Sequence, residues 1–242
     1  MMDDQVRFGT VDVPGQHIAA LSVSPGKSVS PGKGSRPRVI VLPGIHGRTP
    51  HILHVGQRLA AHGFEAVIAD FYCTAAQRGE LRTPEDVGAA TQALDHEAIV
   101  TSVVDLVESV PRVEPTAILG YCIGGAVALQ VAARSDVLTA IVAYYAVLRP
   151  GSPTGDGPDP LAAAQRVACP VLAHYGTTDV WCPVEDIDEL EVGLAKSNSP
   201  YQVYRYPGAG HAFEESGRPG YRPVAAADAA RRTMTFLDHY LA

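Results

Sequence analysis

GYCIGGAV, Gly120 to Val127, decides how the rest of the chain is read. The apolar run Thr116 to Leu119 precedes it, and a run of small apolar residues, Gly124 to Ala133, follows with the character of a helix. Gly120-Tyr121-Cys122-Ile123-Gly124 matches the G-x-S-x-G nucleophile elbow with cysteine in the serine position. That elbow is a strained turn from strand to helix, and small residues flank the nucleophile because the backbone doubles back on itself. A lone G-x-C-x-G is better explained as a buried cysteine in a packing turn. The strand before it and the helix after it favour Cys122 as a nucleophile.

The surrounding pattern alternates strand and helix. RVIVLPG from Arg38, EAVIAD from Glu65, TAILGY from Thr116, AIVAYYA from Ala140, VLAHYG from Val171 and YQVYRYPG from Tyr201 are short apolar or β-rich runs ending in turns. Thr49-Pro50 opens a helix whose face is Ile52, Val55 and Leu59, with Gly63 closing it. Thr83-Pro84-Glu85-Asp86 opens another, read as continuous through Ile99, Val103, Leu106 and Val110 to Pro111. Helices are also expected from Pro183 to Ser197 and from Val224 to Leu241. Two N-terminal strands, Gln5 to Val13 and Gln16 to Val23, join at Pro14-Gly15. The expected fold class is α/β: one mostly parallel sheet with helices on both faces, in a single domain over residues 1–242. Residues 22–37, in which the hexapeptide SVSPGK occurs twice, read as an exposed Ser/Pro/Gly/Lys loop, and Pro150 to Pro160 as a surface loop.

A nucleophile of this kind needs a base and an acid, which follow it in the order nucleophile, Asp or Glu, His. Asp179, in HYGTTDVWCP, and His211, in YPGAGHAF, each lie in a loop just after a strand, on the elbow's side of the sheet. Asp186 and Asp188 are rivals for the acid but fall inside a helix, where they are expected to be solvated. Two backbone N–H groups are expected to hold an oxyanion, those of Ile123 and of Ile45 in LPGIHG.

Bulk properties exclude other classes. Net charge is −7 and no basic stripe is present, which argues against nucleic acid. No uninterrupted apolar stretch is long enough to cross a bilayer, and MMDDQVRFG lacks a secretory pattern. Cysteines 73, 122, 169 and 182 form no spaced framework and read as free thiols of a cytoplasmic protein. His46, His51 and His54 cluster near the oxyanion loop but lack the carboxylate or thiolate usual in a metal site, so neither metal nor cofactor is expected. The expected partner is a small molecule, and the chain is expected to be a monomer or homodimer.

From Arg38 onward the chain resembles the dienelactone hydrolase family of α/β-hydrolases. The resemblance is carried by GYCIGGAV, by AYYAV at Ala143 to Val147, by GTTDVWCP and by GAGHAFEESGRPGY. It implies the α/β-hydrolase fold, a Cys122–His211–Asp179 triad and hydrolysis of a small cyclic enol ester. Two positions depart from the pattern. Gly44 stands where the resemblance implies a glutamate that contacts the nucleophile, and Glu215 where it implies a carboxylate-binding arginine, with Arg218 nearby. Arg78 or Arg82 corresponds loosely to a second such arginine.

Sulfur chemistry narrows the substrate independently. A thiolate adduct expels the group of lower pKa, so an ordinary alkoxide returns the sulfur, whereas an enolate, phenolate or thiolate departs. Cys122 therefore suits enol lactones, aryl esters or thioesters, through a thioester intermediate. His46, Arg48, Arg82, Tyr144, Tyr145 and Trp181 are candidate substrate contacts; strand alternation turns one of the two tyrosines to the pocket and the other to the core. A cyclase, isomerase or carbon–carbon hydrolase on the same scaffold, and a non-catalytic binder or thiol sensor, are the alternatives.

Overall fold

Buried parallel strands need apolar side chains on both faces, and the central runs supply them. A computed structural model describes residues 6–11, 18–25, 36–72, 83–149 and 159–242. Its strands are β1 (Val6–Val11), β2 (Ala19–Pro25), β3 (Arg38–Leu42), β4 (Glu65–Asp70), β5 (Thr116–Tyr121), β6 (Ala140–Tyr144), β7 (Val171–Gly176) and β8 (Tyr201–Tyr206). They form one eight-stranded sheet in the order β1-β2-β4-β3-β5-β6-β7-β8. β2 is antiparallel to both β1 and β4; every other neighbouring pair is parallel. β5, β6 and β7 bury every residue. The expected strands are thus all present, in one mostly parallel sheet. The Pro14-Gly15 turn lies outside the described residues.

The helices are α1 (Pro50–His62), α2 (Pro84–Gln92), α3 (His96–Glu108), α4 (Ile123–Ala132), α5 (Pro160–Ala164), α6 (Val184–Ser197) and α7 (Pro223–Leu241). α1 follows its sequence signals closely. The Thr49 hydroxyl accepts the Ile52 N–H, Gly63 closes the helix at φ 115°, and Ile52, Val55 and Leu59 are buried. α4 buries every residue, which explains why its sequence has no polar face.

Three expectations need correction. The helix read from Thr83 to Pro111 is two helices. Thr83 and Asp86 close a capping box on α2, but the Asp95 carboxylate then accepts the Ala98 N–H and starts α3 afresh. The exposed loop read from residue 22 starts later: Ser22 and Val23, which the strand reading also included, and Ser24 and Pro25 belong to β2, where Val23 is fully buried and the ladder with β1 continues to Pro25. Residues 26–35 of that loop, with most of the duplicated hexapeptide, lie outside the described residues. Asp159 caps α5 within the stretch read as loop, of which 150–158 are likewise outside.

Beneath β6 and β7 lies a closed polar network. His174 is fully buried; its Nδ1 lies 3.0 Å from the Tyr206 hydroxyl and its Nε2 3.1 Å from Thr233 Oγ1. Thr233 also bonds the Tyr144 hydroxyl at 2.7 Å. Burial, aided by the nearby Arg232 guanidinium, holds the His174 pKa down to about 3, against an ordinary 6.5. Between those values the unfolded chain binds a proton that the folded chain refuses, so stability falls as pH drops through this window. The slope is at most about 1.4 kcal/mol per pH unit for one proton. His174→Gln should flatten the acid limb of a stability–pH profile measured by urea denaturation; an unchanged slope would remove His174 as its cause.

Candidate active site

All parallel strands point their carboxyl ends to one edge of the sheet, and the loops there carry the predicted residues. The strand order reverses at β3 and β5, whose ends frame the crevice where open α/β sheets place ligands. Cys122 stands at that point, between β5 and α4, at φ 56° and ψ −119°. Few non-glycine residues adopt a positive φ, and here the neighbouring packing imposes it. A Cβ on Gly120 would lie 2.3 Å from the Gly124 carbonyl oxygen, and one on Gly124 would lie 2.4 Å from that of Leu42. The Cys122 N–H donates to Tyr144 O at 3.0 Å, while its carbonyl accepts from Gly125 and Val147.

His211 and Asp179 come together as the motif order requires. The imidazole Nδ1 is 2.7 Å from Asp179 Oδ2, and the other carboxylate oxygen accepts the Trp181 N–H at 2.8 Å. The Asp179 side chain has no solvent exposure. Thr178 ties the two loops through its N–H and hydroxyl, both donated to Ala209 O. The Cys122 sulfur is near enough to the imidazole to raise its pKa. Burial depresses the His211 pKa, but the Asp179 hydrogen bond and the Cys122 sulfur outweigh it and raise the value to about 9. The rivals are engaged elsewhere: Asp188 pairs with Arg205, and Asp186, largely buried rather than solvated, is covered by the exposed Arg149 with which it pairs.

The loop after β3 is pinned from beneath. Fully buried Asp70 accepts from Arg48 Nε at 2.9 Å and from the Tyr72 N–H at 3.0 Å. The Tyr72 hydroxyl donates to Ile45 O at 2.6 Å. Among the described residues, no backbone acceptor outside the helices and strands receives the Ile45 or Ile123 N–H. Gly44 abuts Cys122: a Cβ there would lie 3.1 Å from the Cys122 Cβ and 3.9 Å from its sulfur. The glutamate implied by resemblance would therefore have stood beside the sulfur.

The remaining candidates divide. Tyr145, at φ 38°, sets its ring edge-on to His211 with centroids 4.8 Å apart. Tyr144 does not line the site. Its ring stacks on Tyr121 and packs on His174, and its hydroxyl is spent on Thr233. Arg48 gives its Nε–H to Asp70, so its first role is to brace the loop. His46 is exposed and close to Arg218 and Glu215; burial of part of the ring and then the Arg218 charge lower its pKa. Glu215 holds Arg218 Nε at 3.1 Å. Trp181 is 66% exposed and stands out from the acid loop rather than walling a pocket. Arg78, Arg82 and Cys73 lie outside the described residues.

Asp70, Tyr72, Cys182 and Glu214 went unassigned from sequence, although a charged residue ending the apolar run EAVIAD was a usable signal. Cys182 is buried and donates to Tyr145 O and Ala146 O, and burial followed by the Asp179 charge pushes its pKa up. Asp179, Cys182 and His211 present ligand atoms within 4.8 Å of one another, but the Asp–His hydrogen bond and the two carbonyls already engage all three. No described helix is long and apolar enough to cross a membrane.

The sheet order and the elbow define an α/β-hydrolase. Residues 22–241 match the dienelactone hydrolase family, and the chain belongs to it. It is accordingly a hydrolase of ester or lactone bonds. A Bradyrhizobium protein named "Probable 2-oxo-3-(5-oxofuran-2-ylidene)propanoate lactonase" is 33% identical over 86% of each chain. A carboxymethylenebutenolidase of Rhodococcus opacus is 31% identical over 86% of this chain and 83% of its own. A Klebsiella pneumoniae crystal structure assigned to the dienelactone hydrolases shares the fold with TM-score 0.84 at 24% identity, covering 97% of this chain and 99% of the other.

The His211 pKa has a consequence for stability. A value of about 9 in the folded chain against 6.5 ordinarily means a contribution fully present below 6.5 and lost as pH rises through 9. Asp179→Asn should shrink that alkaline loss in denaturation profiles; a variant as pH-sensitive as the parent would deny the coupling.

Proposed function

We propose that the protein hydrolyses a small enol lactone or similarly activated ester, with Cys122 as nucleophile, His211 as base and Asp179 as its orienting acid. One observation carries this reading: a cysteine forced to φ 56° at the sheet's switch point, beside an imidazole held at 2.7 Å by a buried carboxylate. The imidazole takes the thiol proton and the sulfur attacks the carbonyl carbon. The N–H groups of Ile45 and Ile123 receive the oxyanion. Collapse expels the enolate, which takes the proton from the imidazolium, and leaves a thioester; the neutral His211 then takes a proton from water as it attacks the thioester, and the departing sulfur regains that proton as the acid is released. Asp179 fixes the imidazole tautomer and stabilises its cationic form. The start of α4 adds its dipole behind the sulfur.

Both relatives' names describe unsaturated five-membered lactones bearing a carboxylate. Arg218, held by Glu215 at 3.1 Å and with a charge that reaches His46, is the cation offered to that carboxylate here. Tyr145 backs the imidazole. Three free thiols among the described residues suit a reducing cytoplasm.

Cys122→Ala should lower turnover of aryl and enol esters at least about 10³-fold, as stoichiometric iodoacetamide should. Unaltered turnover in that variant, or faster hydrolysis of alkyl than of aryl esters by the parent, would sink the assignment. Arg218→Ala should raise KM about tenfold for a carboxylate-bearing enol lactone, a loss of about 1.4 kcal/mol, and hardly change KM for an uncharged aryl ester. Equal effects on both substrates would remove Arg218 from carboxylate recognition.

A further inference from the structure

A carboxylate rarely stays buried unless donors face it squarely. Glu214, three residues past His211, is 7% exposed, and its oxygens are poorly served. Oε1 receives the Tyr121 hydroxyl at 3.5 Å, the long limit of a hydrogen bond. Oε2 lies 2.8 Å from His51 Nε2, yet the pair is misaligned, and both atoms are buried without a well-directed partner. The surroundings are aromatic. The His51 ring stands edge-on to Tyr121, which packs on Tyr144 and Tyr145. Burial first, and the Glu214 charge second, raise the pKa of all three phenols, while the Arg58 charge opposes the effect at Tyr121 and Tyr144.

The chain positions of these groups are what matter. Tyr121 immediately precedes the Cys122 elbow. His51 is the second residue of α1, directly after the loop that carries Ile45. Glu214 belongs to the histidine loop, between Phe213, which is fully buried, and Glu215. One carboxylate therefore touches the three segments that supply the nucleophile, the base and an oxyanion N–H. Packing alone would be met by an apolar side chain at 214 at lower desolvation cost.

We propose that Glu214 is a positioning residue that, through His51 and Tyr121, sets the histidine loop in register with the oxyanion loop and the elbow. The proposal rests on the roles assigned above to Cys122 and His211. Misplacing reacting groups by about 1 Å costs on the order of 10²-fold in rate without weakening substrate binding in proportion. The loss from Glu214→Ala should therefore fall on kcat, about tenfold to 100-fold with p-nitrophenyl acetate, with KM within about twofold. His51→Ala should show the same pattern. Because the two residues act through one contact, the double variant should be no worse than the weaker single variant. Glu214→Gln keeps the shape and an acceptor for His51 and should recover most of the rate.

The experiment is this double-mutant cycle, read both by ester turnover and by the rate of iodoacetamide alkylation at Cys122, each normalised to folded protein by circular dichroism. Alkylation reports thiol–imidazole geometry without requiring turnover. A parent that alkylates but does not turn over esters would therefore refute the functional reading and still test this one. If the alanine cavity prevents folding, Glu214→Met of similar volume takes its place. A kcat loss and slower alkylation, non-additive across the pair and rescued by glutamine, support the proposal. Unchanged kcat and alkylation rate, losses that multiply, or lower thermal stability alone would overturn it.

Discussion

The site depends on a steric constraint at one residue. Cys122 occupies a backbone conformation that its own Cβ disfavours, and it stays there because nothing else fits. Gly120 and Gly124 let the incoming strand, the outgoing helix and the end of β3 meet at distances that exclude any side chain. α4 buries every one of its residues to brace the turn from below. The result is a sulfur raised at the sheet edge with the first peptide N–H of α4 beside it. Relaxing that backbone would move the sulfur and the Ile123 N–H together.

Around this point the fold delivers the other candidate groups from separate loops and ties those loops to each other and to the strands beneath. Thr178 joins the acid loop to the histidine loop, Tyr72 and Asp70 hold the Ile45 loop, and Cys182 fastens the acid loop to the turn after β6. These contacts reach backbone carbonyls or buried carboxylates, so they fix loop positions more than side-chain positions. The neutral His174 network does similar work beneath the sheet, away from the reacting groups.

Much of this was legible in the sequence because the strands are short, strongly apolar and bounded by turns. TAILGY, EAVIAD and VLAHYG correspond to β5, β4 and β7 residue for residue. Cys122, Asp179 and His211 were legible because a strand-to-loop junction in a fixed chain order is a local feature. The break between α2 and α3 was not, since Asp95 reads equally well as a helix-surface residue until its carboxylate is seen to cap Ala98. Tyr144 and Tyr145 could not be told apart as neighbours at a strand end; the left-handed turn at Tyr145 sends one ring to His211 and leaves the other in the core. Glu214 was opaque for a different reason, because its partners lie 93 and 163 positions away along the chain.

Gly44 carries a final consequence. With hydrogen in place of a side chain 3.1 Å from the Cys122 Cβ, Gly44 itself brings no acidic group to the sulfur. Whatever shields it from stray oxidants and alkylating agents must come from the surrounding rim, so the rim has to serve as both doorway and guard.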